Sequence, residues 1–186
     1  MDLPNFAMAR LGDSQLRIVI HWDFENVCIP RGFRAAQLFR IVENRLRQLG
    51  YEGEIEFRAF WGTKGPSLEK HRRELEGLGV KFYQAPEAVQ DAADHLMLEL
   101  IDKYGPKLLK DLLTQYGEVD AVVQEYVHIF IAGDHIYANV AQLMLGMGTT
   151  VLLIYPRLAC ANELREVFPL SARMTWLSFL GRQERR

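Results

Sequence analysis

The stretch His21-Trp22-Asp23-Phe24-Glu25-Asn26 places two carboxylates and an amide directly after an apolar run, residues 16–20. Further acidic positions stand in comparable settings, at Gln90-Asp91-Ala92-Ala93-Asp94 and at Gly133-Asp134 after the apolar VHIFIA. Asp91 and Asp94 are three residues apart and would share one face of a helix. Carboxylates gathered without Lys or Arg between them repel one another unless a cation sits in the middle. A hard ion such as Mg²⁺ or Mn²⁺, held by a few carboxylates and several waters, removes that cost. It can also activate water and stabilise charge on a phosphodiester. Asp23, Asp94 and Asp134, with Asp91 as a further candidate, are therefore the expected metal ligands. In the plainer alternative each acid acts locally, so that Asp23 and Asn26 close a turn, Asp91 and Asp94 favour a helix start, and Asp134 caps a helix.

Whether these acids meet depends on the elements that carry them. Residues 16–22 are rich in β-branched types and predict a first strand. Residues 33–49 repeat apolar side chains at helical spacing, and Gly50 sits where that helix ends. Residues 54–61 alternate polar and apolar types, which predicts a strand with one wetter face. A charged helix over 66–76, a short strand over 80–84 and a helix over 87–104 follow. Residues 107–126 read as a helical insertion. The continuous apolar run 127–132 predicts a central strand covered on both faces. A helix near 137–145, a fifth strand over 149–155, a helix near 159–167 and an aromatic-bearing tail, 174–180, complete the chain. Alternation of this kind implies right-handed crossovers and a three-layer α/β/α sandwich around a mainly parallel sheet of five or six strands. All strand ends then point the same way, so Asp23, Asp94 and Asp134 can converge on one crevice at the C-terminal edge.

With 186 residues, 49% hydrophobic and 25% charged, the chain has the composition of one soluble domain with a proper core. We expect a single domain over 15–181, an extended or disordered lead-in over 1–14 and a basic tail over 182–186. No apolar run approaches the roughly 18 residues of a membrane helix, and the first 14 residues lack the hydrophobic centre of a secretory signal. Cys28 and Cys160 lie far apart without clustered His or Cys, which suggests a reducing intracellular compartment, the cytoplasm first, and no structural zinc. A net charge of −2 and a pI near 6.2 argue against gripping nucleic acid by bulk charge, so such a partner needs a local patch. No GxGxxG and no GxxxxGK[ST] appears, which disfavours dinucleotide enzymes and nucleotide triphosphatases.

Three blocks, in order and spacing, resemble the NYN domain of the PIN-like nuclease superfamily, and most of all its eukaryotic branch, found in plant proteins of this type and in the meiosis regulator and mRNA stability factor. WDFENVCIPRG is similar to the family's Asp-x-Glu-Asn after the first strand, Gln90 to Asp94 to its Lys-Asp-Ala-Ser-Asp, and Ile131-Ala132-Gly133-Asp134-His135-Ile136-Tyr137 to its Ile-Ser-Gly-Asp-x-Asp-Phe. Leu158 to Asn162 resembles the start of its last helix, so the likeness spans roughly 16–180. It implies a PIN-like sandwich and divalent-metal-dependent endonucleolytic cleavage of RNA, with Asp23, Asp94 and Asp134 as catalytic metal ligands and Asn26 shaping the first loop. The chain departs from the pattern at Ile136, where the family has another carboxylate, and at Gln90, where it has Lys.

A single-stranded substrate needs positive charge and stacking surfaces beside the carboxylates. Asn26, Arg31, Arg34, Lys64, Arg72 and Arg73 are the candidate substrate-binding residues, and Trp22, Trp61 and Tyr137 candidate rings, although core packing is the commoner fate of such aromatics. His21 and His135 could assist proton transfer, although local hydrogen bonding is the commoner role of such histidines. The alternative to an endoribonuclease is a catalytically degenerate module, motivated by Ile136, that binds RNA or a protein partner through the 107–126 insertion. A third reading, an aspartyl-phosphate phosphohydrolase at Asp23, lacks the second Asp that its loop uses at the position of Glu25.

Overall fold

The apolar and alternating runs of the sequence become five of six strands in the computed structural model, which describes residues 16–62, 66–85, 91–104 and 126–182. In chain order these are β1 (Arg17–Asp23), α1 (Ala35–Gln48), β2 (Glu54–Trp61), α2 (Pro66–Glu76), β3 (Lys81–Gln84), α3 (Ala92–Tyr104), β4 (Tyr126–Ile131), α4 (Ala138–Gly146), β5 (Thr150–Tyr155), α5 (Asn162–Val167), β6 (Arg173–Thr175) and α6 (Trp176–Phe179). One-turn 3₁₀ helices at His135–Tyr137 and Leu170–Ala172 precede α4 and β6. The expectations for 1–14, Lys64, 87–90, most of the 107–126 insertion and the end of the basic tail lie outside the described residues.

The six strands form one parallel sheet in the order β3-β2-β1-β4-β5-β6. The α/β/α sandwich is therefore observed, with β1 and β4 at its centre, where their apolar sequences belong. Alternation divides β1 between two cores. Ile18, Ile20 and Trp22 face α1, α2 and α6, packing with Leu38, Val42, Leu46, Leu75 and Trp176. On the opposite face, Phe60, Phe130 and Leu153 pack with Met97 and Ile101 of α3, Met144 of α4 and Leu164 of α5. Asp23 takes its place in this second face because it is one residue beyond Trp22.

Three details differ from the sequence reading. β6 was not foreseen: it has three residues, too few for a periodic signal, and exists by pairing with β5. β2 carries its wet character only in its first half, because Arg58 is buried, with its Nε 2.8 Å from Glu56 Oε1. α3 begins at Ala92 among the described residues, so Asp91 precedes the helix, at φ 56°, and does not share a helical face with Asp94. No helix among the described residues is long and apolar enough to cross a membrane.

Candidate functional site

The sheet reverses its winding between β1 and β4, with β2 and β3 on one side of the pair and β5 and β6 on the other. Connections leave β1 and β4 in opposite directions there, which opens a crevice beyond their carboxyl ends. Asp23 ends β1 at that point and is 1% exposed. The chain turns sharply after it, with Val27 N donating to the Asp23 carbonyl at 2.9 Å. The turn brings Asn26 back onto the carboxylate: its backbone N–H donates to Oδ1 at 3.1 Å and its side-chain amide to Oδ2 at 3.0 Å. Asn26 thus orients Asp23 and shapes the first loop. Glu25 reaches across to the end of β2, where its Oε2 accepts from Gly62 N at 2.9 Å.

α3 crosses the same crevice and buries Asp94 in its first turn. The Tyr137 hydroxyl donates to Asp94 Oδ1. Beyond β4, Asp134 caps the 3₁₀ turn, accepting from Ile136 N at 3.0 Å, and lies 2.8 Å from His135 Nδ1. Ile136 packs against the core on the helix-covered side.

The electrostatics couple these groups. Burial pushes the Asp23 carboxyl up to about 7; the Asn26 hydrogen bonds oppose this, and the charges of Asp94 and Glu25 add to it. Asp94 is also raised, first by burial, against the Tyr137 hydrogen bond and with Asp134, Asp91 and Glu25 adding repulsion. Burial, then Asp23 and Asp94, holds the Tyr137 phenol far above its ordinary value, so it remains a donor. Asp94, Glu25, Asp134 and Asp91, whose charges act on Asp23 or Asp94, are all acidic. Such a donor set suits a hard divalent cation. As placed, the carboxylates lie within electrostatic reach of one another, yet no three His, Cys, Asp or Glu side chains among the described residues form a ready ligand cluster.

No family model matches the chain, and no curated protein matches it in sequence. Among solved structures it is similar to a protein of unknown function from Vibrio parahaemolyticus, with a TM-score of 0.58 and 15% identity over 88% of this chain and 94% of that one. Likeness at that identity speaks for the architecture alone.

The remaining candidates separate by exposure. Arg31 and Arg34 are exposed on the connection that leaves Asp23. Arg72 and Arg73 are engaged on their own helix: Arg72 lies 3.2 Å from Glu76, Arg73 lies 3.3 Å from Glu69, and the Arg72 guanidinium sits over the Trp61 ring. They form a solvated, ion-paired helix face. Trp22, Trp61 and Tyr137 are fully buried and offer no stacking platform; the Trp22 indole donates instead to the Val27 carbonyl at 2.7 Å. His21 is buried under the sheet face with its Nε2 3.0 Å from Nδ1 of His128 on β4, so of the two histidines only the exposed His135 stands where it could move a proton at the rim. Sequence reasoning missed Tyr137 as the partner of Asp94 and Glu25 as the tie to β2. Tyr137 stands three residues beyond Asp134, which was a signal for proximity to the acids but not for its hydrogen bond.

Proposed function

We propose that the chain is a divalent-metal-dependent endoribonuclease acting on single-stranded RNA, as the resemblance to PIN-like NYN domains implies. The observation that carries this reading is the burial of Asp23 and Asp94 at the sheet's switch point, in mutual repulsion with Asp134 and Glu25. Asp23, Asp94 and Asp134 would hold Mg²⁺ or Mn²⁺, with Asp91 at the edge. When bound, such an ion supplies neutralising charge for the phosphodiester and acidifies a water. The chain's own residues prepare the site: Asn26 fixes both oxygens of Asp23, Tyr137 fixes one oxygen of Asp94, and Glu25 ties the β1 connection to the end of β2. Hydrogen bonds of this kind orient metal ligands and hold their basicity. Arg31 and Arg34 provide positive charge beside the acids for the RNA backbone. The two free thiols, Cys28 and Cys160, suit a reducing intracellular compartment.

A second reading is favoured by two observations, the aliphatic Ile136 in the Asp134 turn and the lack of a ready three-ligand cluster among the described residues. It makes the domain a non-cleaving RNA- or protein-interaction module, with residues 107–126 as a candidate protein contact. Incubation with single-stranded RNA and Mn²⁺ separates the two. The nuclease cleaves in a metal-dependent manner that Asp23→Asn abolishes. Equal trace cleavage by both proteins sinks the enzyme, and calorimetry showing no Asp134-dependent Mn²⁺ binding then favours the module.

A further inference from the structure

Arg31 and Arg34 stand on one turn and are joined there by the guanidinium of Arg182. Arg31 and Arg34 flank Gly32-Phe33 and are exposed, and Gly32 takes φ 90°, a left-handed conformation natural to glycine. The guanidinium of Arg182 lies over the Phe33 ring, 4.4 Å from its centroid. Its terminal nitrogens are 3.6 and 3.7 Å from where a side chain at Gly32 would begin. The end of the chain is strapped into this position. Trp176 packs beside Trp22 and donates from its indole to the Cys28 carbonyl at 3.3 Å, and Arg182 N donates to the Leu177 carbonyl at 2.9 Å.

Several basic side chains have acidic partners: Arg72 and Arg73 meet Glu76 and Glu69, and Lys81 meets Glu56 at 2.9 Å. Among the described residues no carboxylate pairs with Arg31, Arg34 or Arg182. Three like charges on one turn, in a chain of net charge −2, make a local positive field against the global sign. The planar fork of arginine matches phosphate oxygens in a bidentate way, and stacking on an aromatic face fixes its plane in advance. The turn belongs to the same connection that starts at Asp23.

We propose that Arg31, Arg34 and Arg182 form a phosphate-binding lip for the backbone of single-stranded RNA, completed by the C-terminal segment strapped onto the loop after β1. The lip rests on the proposed nuclease reading for its substrate class alone. The test is fluorescence anisotropy of the full chain with a labelled oligouridylate in chelator, over a series of salt concentrations, for wild type, Arg182→Gln, Arg182→Lys and the double variant Arg31→Gln/Arg34→Gln. Circular dichroism melts confirm folding of each. Expected are a several-fold weaker affinity for Arg182→Gln, a larger loss for the double variant, and a salt slope lower by about 0.7 per phosphate contact removed. Arg182→Lys keeps most of the slope because it keeps the charge. Folded variants with wild-type affinity and slope, or a wild type that binds no oligouridylate, overturn the lip. Arginine-dependent binding without cleavage in Mn²⁺ leaves the lip standing and removes the nuclease.

Discussion

Asp23 sits at the end of a central strand with Asp94 and Glu25 as its charged neighbours, and burial more than either holds its carboxyl near 7. In the unfolded chain the same group ionises near 3.8. Between those values the native state keeps a proton that the unfolded state has lost, so Asp23 makes stability fall as pH rises from about 4 to 7. The full loss is on the order of 4 kcal/mol for this one group. In chelator, Asp23→Asn should flatten that decline and melt at a higher temperature than wild type at pH 8, relative to the difference at pH 5. Mn²⁺ should raise the wild-type Tm at pH 8 and leave that of the variant in place, because a ligand stabilises only the state that binds it. Thermal unfolding at the two pH values checks both; a difference between wild type and variant that does not change with pH would show that Asp23 is not ionised at a cost.

At the scale of the element, the site consists of connections that leave strand ends at controlled angles. The connection after β4 is tight. A side chain at Gly133 would place its Cβ 2.7 Å from the Ala159 carbonyl oxygen and 3.1 Å from Pro156, and Ala161 N donates to the Gly133 carbonyl at 2.8 Å. The loops after β4 and β5 are thus in backbone contact directly before Asp134. Gly133→Ala must push them apart, at about 1–3 kcal/mol, and should weaken Mn²⁺ binding by moving Asp134. Gly146, the last residue of α4, has nothing within 4 Å of its Cβ position. Gly146→Ala should leave stability unchanged or raise it by about 0.5 kcal/mol. Urea unfolding of the pair compares them; equal effects would mean that the loop contact carries no constraint.

At the scale of the molecule, β1 and β4 are joined by more than their ladder. His21 and His128 stack in parallel planes in the sheet face, 5.3 Å between centroids. Burial lowers both; Arg58 pushes in the same direction, and His128 falls to about 3. The native pair is neutral where the unfolded imidazoles, near 6.5, take up protons. Stability from His128 is therefore complete above pH 6.5 and is lost as pH falls, by about 2 kcal/mol at pH 5. This slope is opposite in sign to that of Asp23, so the two offset each other between about pH 4 and 6.5. His128→Gln should reduce the loss between pH 6.5 and 5 by that amount in urea unfolding; an unchanged acid slope would mean that the pair is not neutral in the native state.

The amino-acid order alone determined the local terms: the β-branched run that ends on Asp23, the apolar 127–132 that becomes a central strand, and the loop position of Asp134 after it. These follow from periodicity and strand-end position, which need no partner. The third helix was legible too, but not that Asp91 falls before it, because a single left-handed residue leaves no periodic trace. Only the tertiary structure decided that Tyr137 would reach Asp94, that His21 would turn inward to His128, and that Arg182 would cover Phe33. Each of these joins or buries side chains whose neighbours are brought in by helix crossings and strand order. Period 2 says that a residue alternates sides of a sheet; what waits on that side is fixed by packing.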